Sequence, residues 1–166
     1  MLLKMRLLSA ILYLWGDYMS AEKLTQVEAQ NLLEMIKRSL IESIDFPSRG
    51  KTKEFDVVGD TKKDVFSINI FRAKIHPFKY NFGARIKKNG IMLLELHISQ
   101  SLVHRNPGGE KIVGSHWHIY SEEYGRNFAF PAEDIHSDLF VENAIMFLNK
   151  FNVIEKPQII YQIEML

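Results

Sequence analysis

The part of the sequence best equipped for chemistry lies between positions 104 and 120, where three of the six histidines occur. On an extended strand alternate side chains share a face, so His116, His118 and Tyr120 would lie on one side. Trp117 and Ile119 would then lie on the other side, towards a core. The segment predicts a half-buried strand whose outer face carries groups able to move protons or bind a metal.

A second predicted strand, from Ile91 to Ser99, would bring more such groups to the same face. If the stretch from Asn106 to Gly109 is a short even-numbered loop, the apolar residues of both strands fall together on one side. This register predicts three opposed pairs on the outer face: His97 with His118, Ser99 with His116, and Glu95 with Tyr120. Directly opposed residues have Cβ atoms about 5 Å apart, so histidines, a carboxylate and a phenol would converge.

Three interpretations of this face remain open. It could be the solvated face of an antiparallel sheet, for which such residues are ordinary. It could be a divalent-metal site, because neutral imidazole is a common ligand for zinc and iron. The metal ligands would then be His97, His116 and His118, with Glu95 or Glu122 as a further ligand.

The third interpretation is metal-free cleavage of a phosphodiester, which would require no cofactor. Two histidines with pKa values near neutrality can act as general acid and general base while an arginine holds the phosphate. The predicted catalytic residues are His104, Arg105, His116, His118 and Tyr120. RNA or another phosphodiester would be the partner of such an enzyme.

Composition limits the class of protein. The chain has 166 residues, 46% of them hydrophobic and 25% charged, which is typical of a soluble globular domain. Lys and Arg outnumber Asp and Glu by only 21 to 20, so the chain as a whole lacks the basic field that gives non-specific affinity for nucleic acid. Cysteine is absent, which excludes disulfides and thiolate chemistry and is compatible with the cytoplasm, the predicted location. A protein partner or a homo-oligomer stays open.

Residues 1–18 are predicted to be an extension outside the fold, and 19–166 a single domain. A charged start followed by an apolar run to Trp15 resembles a secretory signal, but it lacks a convincing cleavage site. The run is also too short to span a bilayer, so no stable membrane insertion is expected. Met19 begins a second well-formed sequence, which makes it an alternative translation start. A further packed helix and an export signal remain alternatives.

Hydrophobic periodicity predicts an α+β fold. Thr25 and Glu28 form a capping-box pattern, and helical spacing then continues through Leu40 and Ile44 until Pro47. Alternation predicts an antiparallel sheet of about five strands, with a hairpin turn at Asn89-Gly90. The predicted strands are residues 65–71, 80–87, 91–99, 112–120 and 128–130. Helical spacing returns after Asp138, which predicts a C-terminal helix packed on the sheet.

The motifs of this region resemble those of an uncharacterised family of small bacterial and prophage proteins. Its members read His-Arg-Asn-Pro-Asp-Gly, His-x-His-Ile-Tyr and Trp-Ala-Tyr-Pro in that order. The matching positions here are 104–109, 116–120 and 128–131, and the similarity runs from about Thr25 to the C-terminal apolar segment. Gly108 stands where the family has Asp, and Phe130, which has no hydroxyl, stands where it has Tyr. The resemblance implies a shared site without naming a reaction.

Together these observations predict a cytoplasmic bacterial or prophage protein that uses a histidine cluster as a small nuclease or phosphoester hydrolase. The alternatives are a non-enzymatic module that binds a macromolecule and a metal-binding protein with a His-x-His site.

Overall fold

The computed structural model describes residues 23–162, and this part of the chain is mostly β-structure. The predicted α+β class with about five antiparallel strands is wrong. The structure has an eight-stranded mixed sheet, two small two-stranded sheets and two short helices within the described range. The expectations for residues 1–18 concern a segment that lies outside the described residues.

The main sheet has the strand order β10-β9-β6-β5-β4-β3-β1-β11. Its neighbours are antiparallel except for β1 and β11, which pair in parallel. The smaller sheets are β2 with β12 and β7 with β8. The helices are α1 (Gln26–Glu34) and α2 (Phe140–Lys150), and the strands are β1 (Lys37–Ser39), β2 (Ser43–Asp45), β3 (Thr52–Val58), β4 (Val65–Arg72), β5 (Tyr80–Ile86), β6 (Met92–Ile98), β7 (Val103–Arg105), β8 (Lys111–Val113), β9 (His116–Ile119), β10 (Ala129–Pro131), β11 (Val153–Glu155) and β12 (Gln158–Ile160).

The long central strands β3 to β6 form an antiparallel meander. Alternate side chains form its apolar inner face, and several residues of the opposite face, such as Glu95, are buried as well. The predicted hairpin between β5 and β6 is confirmed, and Gly90 adopts φ 74°, which an L residue with a Cβ rarely does. One face of this meander packs against α2. The Phe147 ring stacks on Phe82 at 5.4 Å and on Trp117 at 6.2 Å between centroids. Aromatic burial therefore fixes the inner face of the sheet and leaves the opposite face to the histidines.

The predicted N-terminal helix begins where expected but ends much earlier. The Thr25–Glu28 capping box is present, yet α1 ends at Glu34 rather than near Pro47, and Ala29 is its one fully buried residue. The following residues join β1, where the Lys37 backbone N–H donates to Asn152 O. Leu40, one of the residues at helical spacing, is 60% exposed. Pairing with distant strands therefore outweighs a local helical pattern.

Two further elements differ from expectation. β3 begins at Thr52, in a segment where no strand was predicted. The predicted strand 112–120 is broken between β8 and β9, where Gly114 adopts φ 96°. Within the described residues, no helix is long and apolar enough to cross a membrane.

Candidate metal centre

The site is built on β6 and β9, which pair directly in the main sheet. Glu95 lies opposite His118, and His97 lies opposite His116. The predicted register, with His97 opposite His118, is wrong by two residues. The connection is not a tight turn, because β7 and β8 form a separate hairpin within it. A shift of two residues keeps every side chain on its face, so the histidines still converge.

Three imidazoles meet on this face at contact distance. The ring centroid of His97 is 4.8 Å from that of His118 and 5.2 Å from that of His116, and the last two rings are 5.0 Å apart. One ring nitrogen from each of the three lies within 4.8 Å of the others. His116 and His118 are buried, at 2% and 6% exposure, while His97 is half-buried. A cluster this enclosed is not an ordinary solvated face.

Backbone carbonyls set the tautomers of the two buried rings. His116 Nδ1 lies 2.9 Å from Gly114 O, and His118 Nδ1 lies 2.8 Å from Arg126 O. A carbonyl oxygen only accepts, so each Nδ1 carries the proton and each Nε2 carries a lone pair. His118 Nε2 is buried and has no hydrogen-bond partner. The arrangement presents a buried lone pair that protein atoms leave unused.

Burial also keeps these rings neutral. It lowers the pKa of His118 from 6.5 to about 4, and the nearby His97 and His116 act in the same direction. Burial likewise lowers the pKa of His116, again helped by neighbouring histidines. Both imidazoles are therefore uncharged at neutral pH, which is the form that binds metals.

A buried carboxylate lies beside the rings. Glu95 is 3% exposed. Its Oε1 accepts a hydrogen bond from Arg126 Nη2 at 2.7 Å and lies 3.5 Å from His97 Nε2. The other oxygen, Oε2, is buried without a hydrogen-bond partner. Asn81 Oδ1, on β5 opposite His97, is a third buried polar atom without one. Polar atoms that no protein group satisfies therefore lie on three adjacent strands, which makes this place suited to a polar ligand.

The hairpin β7–β8 places a fourth histidine over the cluster. The His104 ring is 4.9 Å from His118 and 5.4 Å from His116 between centroids, and its Nε2 lies 3.1 Å from Asn127 O. Asn106 ties this hairpin to β10. Its Oδ1 accepts from Ala129 N at 2.8 Å, and its Nδ2 donates to Ala129 O at 3.0 Å. The His-Arg-Asn motif thus contains one residue that faces the cluster and one that clamps the hairpin.

The cluster opens into a cavity of about 500 Å³. Its lining residues are His97, Leu102, Val103, His104, His116, His118, Arg126 and Asn127. Among the predicted site residues, His104, His116 and His118 line this cavity together with His97. The sequence did not indicate Arg126, Asn127 or Asn81 as site residues, and it did not indicate the clamp made by Asn106.

Three of the predicted residues lie elsewhere. The Tyr120 hydroxyl accepts from Leu24 N and donates to Leu24 O, so it anchors the start of the described chain. Arg105 is exposed and lies opposite Lys111 on the hairpin, outside the cavity lining. Glu122 Oε2 accepts from the Gln26 backbone N–H at the start of α1. The structure brings the histidines and Glu95 together, without the phenol or the second carboxylate.

The fold and the site define a mostly β-protein with a histidine cluster on the outer face of its sheet. A family model covers residues 24–153, and the chain belongs to this family, DUF6978, a family of unknown function. The matched segment contains the whole cavity lining. No curated protein and no solved structure matches the chain.

Proposed function

We propose that this protein binds one divalent transition-metal ion, of the zinc class, through His97, His116 and His118. The main supporting observation concerns His118. Its Nδ1–H donates to a backbone carbonyl, while its buried Nε2 has no hydrogen-bond partner. Metal-binding histidines characteristically donate their other ring N–H to a carbonyl or carboxylate in this way.

The cost of an unsatisfied buried acceptor favours the binding of an ion. A buried acceptor without a hydrogen bond costs about 1–3 kcal/mol, and coordination of an ion would remove that cost. The pKa of His118, lowered to about 4, keeps its lone pair free at neutral pH. Nitrogen ligands in a chain without cysteine suit zinc, nickel, cobalt or iron rather than magnesium or calcium.

The lowered pKa values weigh against the metal-free nuclease. A general acid at neutral pH must carry a proton for part of the time, and burial opposes protonation of both His116 and His118. The predicted Arg105 and Tyr120 also lie outside the cavity lining. The metal-binding alternative therefore accounts for more of the geometry. Phosphoester hydrolysis remains a prediction, and the reaction would use the proposed metal ion.

The test is calorimetric titration of chelator-treated protein with Zn²⁺, Co²⁺ and Ni²⁺. We expect one ion per chain for at least one metal, and a loss of affinity of at least about 100-fold in His118→Ala. His97→Ala removes a half-buried ring and serves as a second variant if His118→Ala folds poorly. His76→Ala removes an exposed histidine outside the cavity and should bind as the wild type does.

Two results would overturn the proposal. One is wild-type protein that binds none of these ions, nor Mn²⁺ or Fe²⁺. The other is unchanged affinity in folded His118→Ala and His97→Ala, which would place any bound ion elsewhere.

A further inference from the structure

From the cavity above the histidine cluster we infer that the site hydrolyses phosphate esters, with Arg126 binding the phosphate and Glu95 accepting the proton of the attacking water. This inference rests on the proposed metal site and adds a substrate class and two residue roles. It stands on the geometry of Glu95 and Arg126 and on the charge of the cavity.

Glu95 lies directly opposite His118. Each of the two side chains has one buried polar atom without a hydrogen-bond partner: Glu95 Oε2 and His118 Nε2. Directly opposed residues have Cβ atoms about 5 Å apart. An ion on Nε2 that carries a water molecule would satisfy both atoms at once. Three histidine ligands leave a coordination position open for that water, as in catalytic zinc sites.

Arg126 holds the Glu95 carboxylate in place. Arg126 Nη2 donates to Oε1 at 2.7 Å, so the carboxylate is fixed through one oxygen while the other stays available. The Arg126 backbone carbonyl also accepts from His118 Nδ1. A single residue therefore orients both the carboxylate and a ligand of the ion, which is the arrangement expected of a positioned catalytic group.

The side chains that line the cavity favour a negatively charged ligand. Arg126 lines the cavity with 55% of its side chain exposed. A guanidinium has five N–H donors, so the bond to Glu95 leaves donors for a ligand. Within the described part of the chain, no carboxylate belongs to the cavity lining. Glu95, the proposed base, is 3% exposed and lies against two residues that do line the cavity, His97 and Arg126. A divalent ion and an arginine together favour an anion whose oxygens can reach both, and a phosphate group does this with three oxygens.

The cavity is also open and of suitable size. Its volume of about 500 Å³ falls in the range of small-ligand sites, and Leu102 and Val103 supply an apolar wall for the ester group. In the reaction, the water oxygen bonds to phosphorus and the bond from phosphorus to the ester oxygen breaks. The water proton passes to Glu95 and then to the departing alcohol. No oxidant, reductant or second substrate is required.

The experiment uses the full chain loaded with the metal that titration identifies. The substrates are p-nitrophenyl phosphate, bis-p-nitrophenyl phosphate and the uncharged ester p-nitrophenyl acetate. The first two distinguish a monoester from a diester, and a short RNA extends the diester arm. We expect turnover of at least one phosphate substrate, with the acetate ester much poorer.

Two variants separate the two roles. Glu95→Gln should lower kcat by at least about 100-fold while metal affinity changes less than about threefold. Arg126→Gln should raise KM and weaken competitive inhibition by inorganic phosphate by about tenfold or more. It should also lower kcat, because the same side chain holds Glu95; the loss of phosphate inhibition is therefore the readout that distinguishes it from Glu95→Gln. Arg126→Lys should restore part of the phosphate affinity. The matched controls are Arg38→Gln and Glu155→Gln. Each breaks an exposed arginine–glutamate pair, with a contact of 2.8 Å, that lies outside the cavity, and both should leave kcat and KM unchanged.

The outcomes are distinguishable from failure of the metal site. Normal metal binding without turnover of any phosphate substrate overturns this inference and leaves the proposed function standing. Loss of metal binding in Glu95→Gln would make Glu95 a ligand and end its role as the base. If the wild-type chain binds no metal, both proposals fail together.

Discussion

Two places in this molecule bury polar groups, and they treat those groups in opposite ways. Lys37 is fully buried beside the ends of both helices, and its ammonium donates to Leu33 O, Met35 O and Phe151 O at 2.7–3.1 Å. The same ammonium lies 4.1 Å from the centroid of the Phe151 ring. All three of its donors are used, so the Lys37 site is complete without a ligand.

In the histidine cluster, by contrast, protein groups do not satisfy every buried polar atom. His118 Nε2 and Glu95 Oε2 are buried without partners, although both residues are otherwise held by hydrogen bonds. Natural cores satisfy nearly all of their buried polar atoms, so a neighbouring pair of exceptions calls for an explanation, and the proposed ion supplies one. The comparison teaches that a saturated buried group is explained by the fold alone, whereas the unsaturated pair is explained by the proposed ligand.

The largest effect should follow from breaking the saturated site. Lys37→Met keeps the apolar stem but leaves one buried and two partly buried carbonyls without their Lys37 donor, so we expect a loss of about 3–5 kcal/mol in the free energy of unfolding. Urea denaturation measures this. Lys51→Met, at an exposed position, should change stability by less than about 0.5 kcal/mol. Metal affinity of any folded Lys37→Met protein should match the wild type, and a matching loss of metal binding would contradict the separation of the two sites.

The second effect concerns pH and the unsaturated site. Burial lowers the pKa of His118 to about 4, from 6.5 in the unfolded chain. Between those values the unfolded chain binds a proton that the folded chain does not, so stability falls as pH decreases from 6.5 to 4. The shift corresponds to about 3 kcal/mol, and the lowered pKa of His116 adds in the same direction.

Chemical denaturation of metal-free protein at several pH values measures this dependence. His118→Ala should lose a large part of the slope in that window, because the group that titrates on unfolding is gone. Identical slopes for the two proteins would show that His118 is not held neutral by the fold.

The smallest of these effects tests the clamp that holds His104 over the cluster. Asn106→Ala leaves the buried N–H and C=O of Ala129 without partners, which should cost about 2 kcal/mol. Metal affinity should fall only a few-fold, since none of the three ligands bonds to Asn106. Denaturation and metal titration of the same samples check both expectations. Asn106→Asp keeps the acceptor for Ala129 N but places a buried carboxylate against Ala129 O and Glu110 Oε2, so it should lose at least as much stability as Asn106→Ala. Wild-type stability in either variant would contradict the clamp.

Local patterns predicted much of what is local in this structure. The capping box at Thr25 and the turn at Gly90 depend on neighbouring residues, and both form as expected. The face on which His116 and His118 lie follows from a period of two, which survives a register shift of two residues. The stripe of α2 that includes Ala144 and Phe147 is buried as its helical spacing indicates.

Contacts between distant segments decided the remainder. The helical spacing predicted a helix through Leu40, but β1 forms in this segment. The reason is that β3 and β11 supply hydrogen bonds that the local sequence does not indicate. Three-residue strands such as β1 and β11 are too short to show periodicity, and neither was predicted. β10 was predicted at 128–130, but the clamp on it by Asn106 from another hairpin was not. The pairing of Glu95 with Arg126 likewise joins residues 31 positions apart.

The sequence by itself determined which residues share a face, where α1 starts and which histidines could act together. Each of these follows from backbone geometry repeated over a few residues. The tertiary structure alone decided the buried tautomers, the lowered pKa values and the unpaired Nε2 of His118. These properties depend on carbonyls and packing atoms from other segments, since desolvation and hydrogen bonding act through space and not along the chain.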